Sequence, residues 1–209
     1  MKLQNYILLL TVVLLVGCNT NPSTPLDPYP LYQEGRNFYN QGRYNEAIAS
    51  FDDALAIDSN YADAYFWKAR SYFKLGVTDQ AIGNYLRTLE IRPGHADANL
   101  ELGRLYFIRM QYPEAEIRLK QAMDADPANP DSYYYLAEIY NKQGLCKEPR
   151  ELYRKALELQ PTYYDARQGL DTVNQNNCRS KRIVRPAKPR YEKRADFGGG
   201  GRALRDDEW

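Results

Sequence analysis

Side chains that commonly carry chemistry are scarce in this sequence, which has one histidine, His95, and three cysteines, Cys18, Cys146 and Cys178. A His-based triad or a transition-metal site needs several such groups at hydrogen-bond or ligand spacing, and the supply is too small for either. His95 falls between two helical patterns and reads as a solvent-exposed loop residue, not a general base. Carboxylates are plentiful but form no cluster at ligand spacing. Glu46 and Glu114 each stand just ahead of a helical alanine, where a negative charge suits a helix N-terminus. Gly35 and Gly42 are not followed by the Gly-Lys-Ser/Thr of a phosphate loop, and Gly198 to Gly201 have no strand before them and no helix after. No catalytic residue, metal or cofactor is assigned. Recognition chemistry remains: 19 Tyr beside 6 Phe and 2 Trp is a surplus of amphipathic rings, which suit the half-buried positions of repeat arrays and binding grooves.

Charge narrows the partners. With 28 Lys+Arg against 27 Asp+Glu the net charge is +1, which gives no reason to expect nucleic acid, and 44% hydrophobic with 26% charged residues fits a folded, non-polytopic chain. The neutrality is a cancellation. Residues 18–178 hold 17 basic and 22 acidic residues, a net −5, whereas Arg179 to Arg194 hold eight basic residues against Glu192. With Pro186, Pro189, the glycine run and the acidic end Asp206-Asp207-Glu208, residues 178–209 read as a disordered basic tail. That tail is either a plain solvated extension or a contact for anionic cell-wall polymer, anionic lipid or an acidic partner.

At the other end, Lys2 precedes an apolar run from Tyr6 to Val16, eleven residues, too short for a hydrocarbon core that takes about 20 helical residues. It reads as a signal peptide over residues 1–17. Leu15-Val16-Gly17-Cys18 resembles the lipobox of bacterial lipoproteins, in which the residue after cleavage is a cysteine acylated with diacylglycerol. The resemblance implies lipidation at Cys18 and anchorage to a bilayer, and Asn19 in place of Asp implies the outer membrane, facing the periplasm, in a Gram-negative cell. Residues 18–27, with Pro22 and Pro25 among Asn, Ser and Thr, read as a tether.

Between these ends the chain repeats. A shift of 34 residues superposes segments 28–61, 62–95, 96–129 and 130–163. Position 8 holds Gly35, Ala69, Gly103 and Ala137; position 11 holds Phe38, Tyr72, Tyr106 and Tyr140; position 20 holds Ala47, Ala81, Ala115 and Pro149. Position 24 holds Phe51, Tyr85, Leu119 and Tyr153, position 27 Ala54, Thr88, Ala122 and Ala156, and position 32 Ser59, Pro93, Pro127 and Pro161. This pattern resembles the tetratricopeptide repeat. The resemblance implies an all-α, right-handed solenoid of four helix-turn-helix units, with the small residues of positions 8 and 20 facing each other and proline stopping the second helix. Ser59, Thr88 and Pro149 depart from the pattern, as does Met110 where Gly42, Gly76 and Gly144 make the turn. Residues 164–177, with Ala166, Leu170 and Val173 on one side, read as a capping helix.

In such arrays positions 2, 5, 9, 12 and 13 of the first helices line a concave groove. Position 9 reads Arg36, Arg70, Arg104 and then Glu138; position 5 reads Tyr32, Phe66, Leu100 and Tyr134; position 12 reads Tyr39, Phe73, Phe107 and Asn141. Guanidinium forks among rings suit a partner segment carrying carboxylates and apolar side chains. The arginines could instead pair with Asp63, Asp97 and Asp131, although those acids read better as helix caps. The clamp of some chaperone-binding relatives, Lys and Asn at positions 5 and 9, is not matched by Tyr32 and Arg36. Cys146 opens the second helix of unit four and Cys178 closes the capping helix, so a disulfide and two free thiols are both open. Lipobox and repeats together resemble the pilotin-type lipoproteins that help assemble type IV pilus secretins. The expected protein is a protein-binding adaptor in the bacterial envelope, with a scaffold for cell-wall hydrolases or synthases as the alternative and an enzyme as the distant third.

Overall fold

Short amphipathic helices too small to stand alone bury their apolar stripes against one another. The computed structural model describes residues 27–175, all of them within one compact unit, and the described residues form nine helices and no strand. These are α1 (Tyr29–Asn40), α2 (Tyr44–Ile57), α3 (Ala62–Lys74), α4 (Thr78–Ile91), α5 (Ala96–Ile108), α6 (Tyr112–Ala125), α7 (Pro130–Lys142), α8 (Lys147–Leu159) and α9 (Tyr164–Gln175). Consecutive pairs form four hairpins, and each pair packs onto the next, so the architecture is a tetratricopeptide-type all-α solenoid. The signal segment and tether up to residue 26, the last two residues of the expected capping helix, and the tail lie outside the described residues. Among the described residues no helix is long and apolar enough to cross a membrane.

The sequence sets where helices start and stop. Pro30, Pro113 and Pro130 occupy first-turn positions, where the missing N–H would be unpaired anyway. Pro149 does the same in α8 and is fully buried. The three turn glycines take φ of 75° to 77°, which lets first and second helices reverse within three or four residues. Met110 takes the same turn at φ 58°, with its side chain 75% exposed. Asp63, Asp97 and Asp131 are not the caps expected of them: they lie inside the first turns, and the side chain of the preceding residue caps α5 and α7, while Tyr61 before α3 makes no side-chain cap bond. His95 Nδ1 accepts from the Ala98 N–H at 3.3 Å, and Asn129 Oδ1 accepts from the Asp131 N–H at 3.0 Å. His95 is thereby no exposed loop residue, since its side chain retains 11% of its accessibility.

Inside the hairpins position 8 meets position 24 as well as position 20, whose Ala115 carbonyl lies 3.4 Å from a Cβ built on Gly103. A Cβ built on Gly35 would lie 2.6 Å from the Phe51 ring, and one on Gly103 would lie 2.8 Å from Leu119, so position 8 presses on position 24. Phe51, Tyr85, Leu119 and Tyr153 are all at most 1% exposed and form one row through the stack. Thr88, the departure at position 27, satisfies its buried hydroxyl by donating to the Asn84 carbonyl at 3.0 Å. Within units one, two and four the ring of position 34 folds back on the ring of position 5, with centroids at 5.0 Å for Tyr61 on Tyr32, 4.7 Å for His95 on Phe66 and 5.1 Å for Tyr163 on Tyr134. Helix α9 closes the stack by burying Ala166 and Val173 beside Ala137, Tyr153 and Ala156. Cys146 precedes α8 and is disulfide-bonded, while Cys178, its expected partner, lies outside the described residues.

Two substitutions test this account. Met110→Gly removes the left-handed strain and should raise the unfolding free energy by about 1 kcal/mol. Gly35→Ala forces a methyl into the Phe51 ring and should lower it by about 1–3 kcal/mol. Urea unfolding at constant m-value checks both, and opposite signs are the expected outcome.

Candidate functional site

Arginine at position 9 would normally be drawn to nearby carboxylates, but Asp63 is taken by Arg92 at 2.9 Å and lies 3.5 Å from His95 Nε2, and Asp131 accepts from the Tyr163 hydroxyl at 2.6 Å. The arginines lie on rings. The Arg36 guanidinium stands 4.0 Å from the Trp67 ring centre, Arg70 stands 4.6 Å from the same indole and 5.3 Å from Tyr39, and Arg104 stands 5.2 Å from Tyr135. Each stack contributes about 0.5–2 kcal/mol, more as water is excluded. Trp67 and Tyr135 both occupy position 6, so a position-6 ring receives the guanidinium of the unit before it: Trp67 receives Arg36, and Tyr135 receives Arg104. Unit three breaks the rule. Its position 6 is Glu101, which bonds Arg104 Nη1 at 2.9 Å, and Arg70 stacks only on rings of units one and two. Burial opposes the Arg104 charge, but Glu101 and Tyr135 outweigh it and hold its pKa above the usual value.

Where the ladder breaks, a cleft of about 110 Å³ opens, lined by Tyr39, Arg70, Phe73, Lys74, Tyr85, Glu101 and Arg104. Four of these, Tyr39, Arg70, Phe73 and Arg104, are expected groove residues. Two expected ones do not face a partner: Tyr32 and Phe66 are 7% and 4% exposed, because the connector rings Tyr61 and His95 cover them. Phe107 packs on Tyr112 and Tyr135, and Arg36 lies between Tyr32 and Trp67. Tyr134 lines a second, acidic cleft of about 260 Å³ with Glu138, Asn141, Asp165, Gln168, Gly169 and Thr172. A third, mostly apolar cleft of about 440 Å³ lies between α7 and α8, lined by Leu136, Tyr140, Lys147, Glu148, Glu151 and Leu152. Among the described residues no three His, Cys, Asp or Glu side chains are grouped to hold a metal ion. Sequence reasoning missed Trp67, Glu101 and Tyr135, although position 6 of units two to four, read as a column, would have shown them.

The repeats have counterparts in known proteins. A family model described as TPR repeat matches residues 35–76, and one described as tetratricopeptide repeat matches 68–117 and 100–164, so the chain belongs to the tetratricopeptide-repeat proteins. No curated protein matches it significantly. Solved structures that share the fold include MamA of Desulfovibrio magneticus RS-1, at 23% identity over 73% of this chain and 87% of that one, with a TM-score of 0.66. The pilF protein of Pseudomonas aeruginosa is similar at 19% identity over 72% and 68% of the two chains, with a TM-score of 0.65. A tetratricopeptide repeat protein from Parabacteroides merdae matches at 22% identity over 74% and 60%, with a TM-score of 0.62.

The tyrosines around the groove hold unusual acidities. Burial, then the neighbouring Tyr32 and Asp63, pushes the Tyr61 phenol up to about 12, and burial, then Glu138 and Asp165, pushes Tyr134 up to about 12. Burial also raises Tyr85, Tyr153 and Tyr163, the last two further raised by donating to Glu138 and Asp131. A phenol whose folded pKa exceeds its unfolded value near 10 stabilises the fold fully below about pH 10, and the contribution fades as pH climbs through 12. The phenolate absorbance contributed by these five tyrosines should therefore rise late and together with loss of helix between about pH 10 and 12. Tyrosines that all titrate near 10 with helix intact would contradict the buried network.

Proposed function

We infer that this protein is a membrane-anchored adaptor of the bacterial envelope that holds a segment of a partner protein across the face carrying Arg70, Arg104, Tyr39 and Phe73. Tetratricopeptide repeats are protein-binding scaffolds and generally non-catalytic, which supports the adaptor over an enzyme. The observation that carries the reading is the broken arginine-ring ladder, since it leaves a charged, aromatic-lined cleft on a rigid stack. Arginine presented this way offers planar hydrogen-bond donors whose orientation is already fixed, so less entropy is lost on binding.

The lipobox at Leu15 to Cys18 supports acylation at Cys18 and a place at the outer membrane facing the periplasm. Likeness to pilotin-type lipoproteins, together with the fold shared with pilF, supports a role in assembling a pilus or secretion complex. The basic run Arg179 to Arg194 supports the alternative, a scaffold that holds cell-wall hydrolases or synthases near anionic polymer.

Two arms test the reading. Intact-mass analysis of protein extracted from membranes should find an acylated N-terminus at Cys18, and Cys18→Ala should abolish processing and membrane partitioning; an unmodified start elsewhere removes the anchor. Partners captured from detergent-solubilised envelopes should be lost with Phe73→Ala combined with Arg70→Glu, at a cost of about 2 kcal/mol or more in binding, while helical content persists. Unchanged capture by the folded double variant assigns the partner to another surface.

A further inference from the structure

The geometry points to a built site for one acidic side chain of the bound segment, at the break between Arg70 and Arg104. This deepens the adaptor reading and rests on it. Tyr85 rises from α4, is 1% exposed, and lines the cleft, yet its hydroxyl has no hydrogen-bond partner. Arg104 Nε, also on this cleft, is buried and unpartnered as well. Buried donors left unmade are costly, and most are paired in folded proteins. Three cations, Arg70, Lys74 and Arg104, face one carboxylate, Glu101, whose bond goes to Arg104. Arg70 has ring contacts but neither a hydrogen bond nor an ion pair with any described residue.

The Tyr85 hydroxyl, Arg104 Nε and the Arg70 guanidinium can all donate, and cations outnumber the one carboxylate, so the complement is an acceptor with a negative charge. A carboxylate seated between the two guanidinium groups accepts from Arg70 and Arg104, and it draws these long side chains off the Tyr85 hydroxyl, which then donates to the same anion. The volume of about 110 Å³ holds a carboxymethyl or carboxyethyl group but not a whole peptide. The Tyr39 and Phe73 rings at the rim take the apolar neighbours of that residue. The second cleft, with Glu138 and Asp165, repels an acid.

The test is selection of terminally blocked twelve-residue peptides from a random library by the full-length chain in detergent, followed by affinity measurement on resynthesised, amidated winners. Selected peptides should share an internal Asp or Glu, and its replacement by Asn or Gln should weaken binding at least about tenfold. Arg70→Gln should match that loss, and the loss should shrink as salt rises. Tyr85→Phe gives the distinguishing signature: stability held or raised because an unpaired buried hydroxyl is gone, with weaker binding of acidic peptides and unchanged binding of their amide versions. Winners that need no acid, but lose binding with Phe73→Ala, overturn the carboxylate site and keep the groove. Winners that bind only with a free C-terminal carboxylate overturn the side-chain assignment. No enriched peptide at all overturns the groove reading and this site with it.

Discussion

Two helices of a hairpin can run side by side only if something at their crossing gives way, and here it is the side chain at position 8. Phe51 lies against Gly35 and Leu119 against Gly103 at distances that admit no Cβ in the present packing. Because position 8 is Gly or Ala in every unit, with Ala69 and Ala137 standing where the other units have Gly35 and Gly103, a small residue recurs at the crossing every 34 residues and equivalent side chains of successive first helices fall into rows. The groove is a consequence of that regularity. Arg36, Arg70 and Arg104 sit one unit apart along it because the small residue beneath them recurs, and the rings beside them then fix their guanidinium groups.

Connectors decide which rings the groove keeps. The connector residue at position 34 lays a ring on position 5 in units one, two and four, and in unit two the same residue, His95, also caps the helix that follows. Position 5 is thus covered by the connector and lost to recognition. Position 6, one residue on and turned by about a quarter of a helical circuit, takes its place as the ring that meets arginine. Tyrosine serves this arrangement better than phenylalanine, since its body packs while its hydroxyl reaches a carboxylate, within unit four from Tyr163 to Asp131 and across the boundary of units three and four from Tyr140 to Glu116. Such bonds explain part of the tyrosine surplus.

Fold, unit boundaries and the row of arginines were legible from the sequence because each depends on residues at a fixed period. What was not legible depends on competition between neighbours. Asp63 looked like a cap or an arginine partner, but His95 and Arg92 reach it from the next connector and from the end of α4. Tyr32 and Phe66 occupied groove positions by count, and only the ring at position 34 removes them. Position 6 drew no attention because its four residues, Gln33, Trp67, Glu101 and Tyr135, share no chemistry. Their disagreement is the informative feature, since the acid among the rings marks where the ladder opens.

The way the arginines are held also resolves an apparent conflict of charge. Residues 18–178 carry a net −5, which by itself disfavours an acidic ligand. Had each groove arginine paired with the aspartate at position 2, its charge would have been cancelled locally and the surface would follow the net charge. A ring fixes a guanidinium without neutralising it, because the attraction comes from the quadrupole of the π face and leaves the in-plane N–H donors pointing outward. Arg36 and Arg70 are held in this way on one indole, and only Arg104 is shared with a carboxylate. Several acids of the body are meanwhile engaged in ion pairs and bonds elsewhere: Asp52 with Lys68, Asp79 with Arg109, Glu116 with Lys120 and Tyr140. Within a Debye length of about 8–10 Å the local cations therefore outweigh the distant excess of acid, and an acidic segment is attracted to this one stretch of an otherwise acidic stack.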